Sequence, residues 1–208
     1  LLKSMANHDF VIHLAAQTNI LQSIIDPETT IDIIVEGTVN VLKSCVKTNV
    51  KGLVSTSSAA VYGNSPDAPI SENSQLSPVS SYGASKLVTE YNLQAFSRSF
   101  GLNCISLRLF NVYGNGQSSE TVVIRKFLKN ISKDLPLEIF GDGAQTRDFV
   151  HVSDVIQAFS CAIKNIEAKR GEVYNIGSGK STSINELASL LISSKGKDLQ
   201  IIHKPAIQ

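Results

Sequence analysis

The sequence predicts an α/β fold built on a doubly wound parallel sheet, with a smaller second lobe toward the carboxyl end. Three observations carry that prediction. Short β-branched runs alternate with longer amphipathic ones, the pattern of parallel strands joined by crossover helices on both faces of a sheet. The texture changes after Asn111, where Gly114, Gly116, Pro136, Gly141 and Gly143 break the chain into short pieces around one helical stretch. Finally, 208 residues that are 42% hydrophobic and 18% charged suffice for a sizeable core and are too apolar for a mainly disordered chain.

Taken in order, residues 10–14 form the first expected strand. Residues 29–48 follow as a helix, because Ile31, Ile34, Val35, Val39, Leu42 and Val46 recur at helical spacing. The second strand is expected at 52–57. A second crossover helix spans 81–100, with Leu87, Tyr91, Leu93 and Phe96 on its apolar stripe, and the third strand spans 103–109. In the second lobe a helix is expected at 122–131, and a strand at about 172–176 returns to the main sheet. Both ends read as cut: the buried-strand pattern begins at Phe10 with no earlier βα unit to pair it, and the chain stops just after a strand-like 199–202. The expectation is a portion of a longer chain.

Composition excludes several function classes. The 19 basic and 18 acidic residues leave a net charge of +1, which offers no broad field to nucleic acid or an anionic membrane. Cys45, Cys104 and Cys161 lie far apart in apolar runs, without metal-ligand spacing or the pattern of a small disulfide scaffold. No metal site is expected, and a reducing cytoplasm fits. No apolar run approaches the roughly 20 residues of a membrane span, and the opening residues carry no secretion signal, so a soluble protein is expected.

Tyr82 and Lys86 stand four apart in Ser81-Tyr-Gly-Ala-Ser-Lys86, so a helix presents both on one face. That spacing suits a phenol used as acid or base. A nearby ammonium stabilises phenolate, and a positively charged nicotinamide would help draw the tyrosine from about 10 toward neutrality. The same pair can also be an ordinary surface helix. The strand at 52–57 runs into Ser58-Ala-Ala-Val-Tyr-Gly63, placing small hydroxyls at the carboxyl end of a central strand, where open α/β sheets bind ligands. Such hydroxyls hold a substrate oxygen or simply cap a turn. Val11-Ile-His-Leu-Ala-Ala16 ends a strand in two alanines, small enough for close approach by a flat or phosphorylated ligand. His13 within it reads as a packed strand residue.

Five blocks occur in order over nearly the whole chain: VIHLAA at 11–16, STSSAAVYG at 55–63, SYGASK at 81–86, RLFNVYG at 108–114 and IFGDGAQTRDFVHVSDV at 139–155. Together they resemble the extended short-chain dehydrogenase/reductase family, and within it the NAD-dependent nucleotide-sugar epimerases of the UDP-glucose 4-epimerase kind. The resemblance implies a Rossmann-type fold, with residues 1–111 a partial dinucleotide-binding domain and 112–208 mainly a substrate-binding lobe. It implies that Ser58 bonds the sugar's reacting hydroxyl, that Tyr82 exchanges its proton, and that Lys86 binds the nicotinamide ribose and tunes the tyrosine. Leu14, Ala15, Ala16 and Thr18 would lie along the NAD, with Phe110 beside its nicotinamide. Asn111 and Arg147 match positions that grip the substrate diphosphate, and Phe140 falls near the nucleotide base. A guanidinium suits phosphate and Asp148 can orient it, although Arg147 and Asp148 can equally form a surface ion pair.

Three departures accompany the resemblance. The glycine-rich phosphate loop and the acidic residue for the adenosine ribose belong roughly 60 residues or more before His13, given about 30 residues per βαβ unit, and are absent here. Gly177-Ser-Gly179-Lys180-Ser181 lacks the spacing of a phosphate loop and reads as a turn entering a helix capped by Ser183. Ile33 and Ile34 stand where the family often carries asparagine near the cofactor. Related dehydratases place Asp-Glu directly after the active-site hydroxyl residue, where this chain has Ala59 and Ala60. That favours epimerisation of a UDP-hexose over dehydration, with a reductase, a decarboxylase or a non-catalytic binding module as the remaining readings. Family members pair through two helices of each subunit, so the helices at 29–48 and 81–100 imply a homodimer with a four-helix interface.

Overall fold

The computed structural model describes residues 1–65, 69–117 and 122–206. The first elements are α1 (Leu2–Met5), β1 (Phe10–His13), α2 (Ile20–Ile25), α3 (Pro27–Ile31), a π-helical turn (Asp32–Glu36), α4 (Gly37–Thr48) and β2 (Gly52–Ser58). A 3-10 turn (Ala59–Tyr62), α5 (Ser81–Phe100), β3 (Asn103–Leu109), β4 (Asn111–Tyr113), α6 (Val123–Ser132) and β5 (Leu137–Phe140) follow. The chain ends with β6 (Thr146–Arg147), β7 (Phe149–His151), α7 (Val152–Lys164), β8 (Arg170–Ile176), β9 (Thr182–Ser183), α8 (Ile184–Ser194) and β10 (Ile201–Lys204). Contacts divide it into two compact units, Leu1–Phe110 with Asp154–Ile176, and Asn111–Ser153 with Gly177–Gln208.

The first unit is the parallel sheet that the sequence predicts. Its strands run in the order β1-β2-β3-β8, all parallel, with Gly52 paired to Asn103 at one end of β2 and Ser58 to Leu109 at the other. Parallel neighbours require crossovers, and α4 and α5 provide them. Successive strand residues point to opposite faces. Leu53 and Cys104 therefore join a cluster with Val41, Leu42 and Cys45 of α4 and Leu93 of α5. Their neighbours Val54 and Ile105 pack on the other side with Ala162 of α7 and with Ile166. A sheet covered on both faces is Rossmann-like, and its strand ends are where a ligand is met.

Several departures from the sequence expectation lie before β2, where α1 was also not expected. The helix expected at 29–48 begins earlier, at Pro27, under Asp26, whose carboxylate accepts from Thr29 N at 3.1 Å. It is also interrupted by the π-helical turn: Gly37 N reaches back five residues to Asp32 O, and the Thr38 hydroxyl takes Ile34 O at 2.5 Å. A single wide turn leaves the apolar spacing almost unchanged, so periodicity does not reveal it. The six-residue α2 has no counterpart in the sequence reading: it is too short to establish a helical period, and its apolar residues Ile20, Leu21, Ile24 and Ile25 are exposed.

In the second unit, α6 buries Ile124, Phe127 and Ile131 at helical spacing against Leu137 and Ile139 of β5 and Ile184, Leu187 and Ala188 of α8. β5 pairs in parallel with β10, β4 in parallel with β7, and β6 antiparallel with β9. Ser183 caps α8, accepting from Glu186 N at 3.1 Å as the sequence suggests. Among the described residues no helix is long and apolar enough to cross a membrane.

Candidate active site

The start of α5 is fixed before any chemistry is considered. Ser80 caps it, accepting from Gly83 N at 3.1 Å. The Ser23 hydroxyl of α2 accepts from Tyr82 N at 3.2 Å while donating to Ile20 O at 2.6 Å. Gly83 is needed for close approach: a Cβ there would lie 2.6 Å from Ala60 O, so only glycine lets this turn of α5 rest against the 3-10 turn. Ser58, at the end of β2, caps that 3-10 turn by accepting from Ala60 N at 3.2 Å. The same Ser58 hydroxyl hydrogen-bonds the Tyr82 phenol. Capping therefore leaves the Ser58 side chain facing the Tyr82 phenol.

Lys86, 4% exposed, donates from Nζ to Thr56 O at 2.9 Å and lies 6.0 Å from the centre of the Tyr82 ring. The structure thus brings Ser58, Tyr82 and Lys86 together at the carboxyl end of the sheet. Burial raises the Tyr82 pKa, and the Ser58 side chain lowers it by less, so the phenol titrates above its ordinary value. The Lys86 ammonium is turned to Thr56 and is itself driven to about 8 by burial, with the Glu90 charge opposing. His13 is a packed strand residue, as read: buried, with Nε2 3.1 Å from the Thr38 hydroxyl. Since that hydroxyl donates to Ile34 O, His13 Nε2 carries the hydrogen. Burial, then the Lys86 charge, holds the His13 pKa down.

Sequence reasoning missed the groups behind this trio. Glu90 and Arg108, 2% and 4% exposed, form a bidentate pair, Nε to Oε1 at 2.9 Å and the second guanidinium nitrogen to Oε2 at 2.7 Å. The Ser57 hydroxyl donates to the same Glu90 Oε1. Arg108 also donates to the Tyr62 hydroxyl at 2.7 Å, which donates to Asn175 Oδ1 at 2.6 Å. A usable signal was present, since Glu90 falls on the Tyr82–Lys86 face one further turn along.

Along the expected cofactor segment, Leu14, Ala15 and Thr18 are exposed and Ala16 is half-buried. Gln17 Oε1 beside them is buried without a hydrogen-bond partner. Phe110 is half-buried just beyond β3, its N–H donating to Ile176 O at 3.1 Å. Ile34 is buried and Ile33 exposed, so a polar contact from either position is lost. Open small residues, an orphaned buried acceptor and an ammonium with hydrogens beyond its Thr56 bond fit a ligand rich in hydroxyls and amides, such as a nicotinamide dinucleotide.

In the second unit, Asn111 is largely engaged with backbone: its N–H and its Nδ2 both donate to Asp148 O, at 3.0 and 3.1 Å. Arg147 is exposed and donates to Thr146 O at 2.8 Å. Asp148 does not orient it. Its carboxylate accepts from Ser178 N and Oγ, both at 2.7 Å, and from Gly179 N at 2.8 Å. Successive N–H groups of the 177–181 turn form an anion cradle, and this carboxylate fills it. Phe140 is 38% exposed, with Lys126 Nζ 4.9 Å over its ring.

Comparison with known proteins agrees with this geometry. A model of the NAD dependent epimerase/dehydratase family matches residues 1–177. A Methanocaldococcus jannaschii protein provisionally named UDP-glucose 4-epimerase is 41% identical over 186 residues, covering 88% of this chain and 60% of that protein. The dTDP-glucose 4,6-dehydratase of Streptomyces griseus is 31% identical over 194 residues, covering 93% and 58%. Among solved structures, UDP-glucuronic acid 4-epimerase from Bacillus cereus in complex with UDP-glucuronic acid and NAD superposes with a TM-score of 0.91 at 30% identity, covering 99% of this chain and 65% of that one. The chain therefore spans about three fifths of the length of the relatives it matches. With the parallel sheet, the Ser58–Tyr82–Lys86 cluster and a family match over most of its residues, the chain belongs to the NAD dependent epimerase/dehydratase family.

Proposed function

We propose that the full-length protein is a nucleotide-sugar 4-epimerase of the UDP-glucose/UDP-galactose type, acting through a transient keto sugar. The observation that carries this reading is the clustering of Ser58, Tyr82 and Lys86 at the carboxyl end of β2, with Lys86 buried and Ala59 and Ala60 following Ser58. NAD, when bound along residues 14–18, would supply a reversible hydride acceptor for the sugar carbon. Ser58 holds the sugar's 4-hydroxyl oxygen while Tyr82, as phenolate, takes its proton. Because burial raises the Tyr82 pKa, that phenolate needs added positive charge nearby, which Lys86 and the oxidised nicotinamide provide. After the planar keto sugar turns over, Tyr82 gives the proton back and the carbon is inverted. Expelling water from the adjacent carbon needs an acid, and Ala59 and Ala60 offer none.

Asn111 and Arg147 are assigned to the substrate diphosphate and Phe140 to the nucleotide base. Arg147 is exposed with most of its donor fork available, which suits phosphate. Leu14, Ala15, Ala16, Thr18 and Phe110 are assigned to the cofactor. A homodimer through α4 and α5 is supported by apolar side chains on and just before these helices, Ile31, Ile33, Val88 and Tyr91, each more than 40% exposed. The test is incubation of the full-length protein with a panel of UDP-sugars and separation of the products. A 4-epimer of one of them is expected; a product lighter by one water would make the protein a dehydratase.

A further inference from the structure

Two buried charges, Glu90 one turn along α5 and Arg108 on β3, stand behind the Tyr82–Lys86 pair, and the mechanism above uses neither. On α5 the series Tyr82, Lys86, Glu90 occupies one face, spaced four and four, and all three side chains are buried. Each meets the end of β2 in turn: Tyr82 bonds Ser58, Lys86 bonds Thr56, and Glu90 accepts from Ser57. Glu90 is also the anchor of Arg108 on β3, which it holds by two hydrogen bonds.

We propose that Glu90 is a positioning residue for the acid–base pair: its buried carboxylate, clamped by Arg108, pins the β2 end that carries Ser58 against α5 and keeps a negative charge one turn from Lys86. The proposal rests on the epimerase reading for its link to turnover. A buried carboxylate without partners would be costly, and the Arg108 fork and the Ser57 hydroxyl make it tolerable there. The groups facing Lys86 are Tyr82 and Glu90 on its own helix, His13 on β1 and the Thr56 carbonyl on β2, with Arg108 of β3 reaching Glu90 from the far side. Among these Glu90 carries the negative charge, and it opposes the loss of the Lys86 proton that burial favours. Neutralising Glu90 leaves His13, when protonated, and Arg108 as positive neighbours, so the Lys86 pKa must fall.

The experiment uses the full-length enzyme with lysine labelled with carbon-13 at Cε, the Lys86 resonance being assigned by its loss in Lys86→Met. NMR titration should place Lys86 near 8 in the parent and about one pH unit lower in Glu90→Gln. The alkaline limb of kcat should move down with it, while KM for the UDP-sugar stays within about twofold. Glu90→Asp, which keeps the charge, should restore most of the titration. Glu90→Gln can also weaken folding by stranding Arg108, so Glu90→Gln with Arg108→Met removes both charges. A purely structural role predicts that the double variant regains the parent titration; the positioning role predicts that Lys86 rises above its value in Glu90→Gln, as the Arg108 charge is gone, but stays below the parent. A Lys86 pKa unchanged in both variants overturns the proposal. Tyr82→Phe is the separate control: if it remains active the acid–base reading fails, while the Lys86 titration still judges Glu90.

Discussion

The charged residues near the expected site differ between the two units. In the first, Lys86, Glu90 and Arg108 are each less than 5% exposed, and each holds short hydrogen bonds to named partners. In the second, Arg147 stands in solvent against its own neighbour's carbonyl, and Lys126 lies over an exposed ring. The difference teaches where rigidity is spent. Proton transfer needs donor and acceptor fixed to a few tenths of an ångström, which burial and packing supply. Grasping an anion tolerates a long, solvated side chain that swings onto its target.

The largest expected effect breaks the rigid half. Tyr82→Phe keeps the ring packing and removes the exchangeable proton, so turnover of the full-length enzyme should fall by about 100-fold or more with UDP affinity unchanged. Steady-state rates within a few-fold of the parent would remove Tyr82 from the chemistry.

A second effect measures what burial costs that half. The Lys86 pKa is depressed from 10.5 to about 8 in the folded chain, so between these values the unfolded state binds the extra proton. The penalty is fully present below about 8 and is relieved as pH rises toward 10.5. Denaturant unfolding should therefore show the parent gaining about 2–3 kcal/mol relative to Lys86→Met across that window. A constant difference would mean that Lys86 is better solvated than its 4% exposure indicates.

The exposed half gives smaller and separable effects. Arg147→Ala should weaken binding of UDP and UDP-sugar alike by about 1.5–3 kcal/mol in calorimetry, with stability unchanged. Asp148→Asn should do the reverse: lose about 1 kcal/mol of stability as the Ser178 and Gly179 cradle loses its carboxylate, and leave UDP affinity as it was. If Asp148→Asn matched Arg147→Ala in UDP binding, the carboxylate would be acting on the guanidinium after all.

The same division decides what was legible in the sequence. Strands β2 and β3 and helix α5 are plain, because a long run with one period leaves little choice. Helical spacing puts Tyr82 and Lys86 on one face and Ser58 stands at a strand end, but only the family resemblance singled the three out from a surface helix and a capped turn. The Glu90–Arg108 pair did not emerge, because an acid on a helix and a base on a strand carry no mark of burial until the sheet is assembled. Ser23 was hidden similarly, since six residues of α2 are too few to show a period. Asp148 was misread for a related reason: adjacency to Arg147 in sequence suggests a pair, while the competing N–H groups arrive from thirty residues away.

The most direct test of the central claim, transient oxidation at one carbon, follows an isotope. Full-length enzyme would be given a UDP-hexose carrying deuterium at C4, and the 4-epimer examined by mass spectrometry and NMR. The account predicts inversion with the deuterium retained at C4 and no net NADH absorbance. Loss of the label to solvent, its transfer to another carbon or stoichiometric NADH would contradict it.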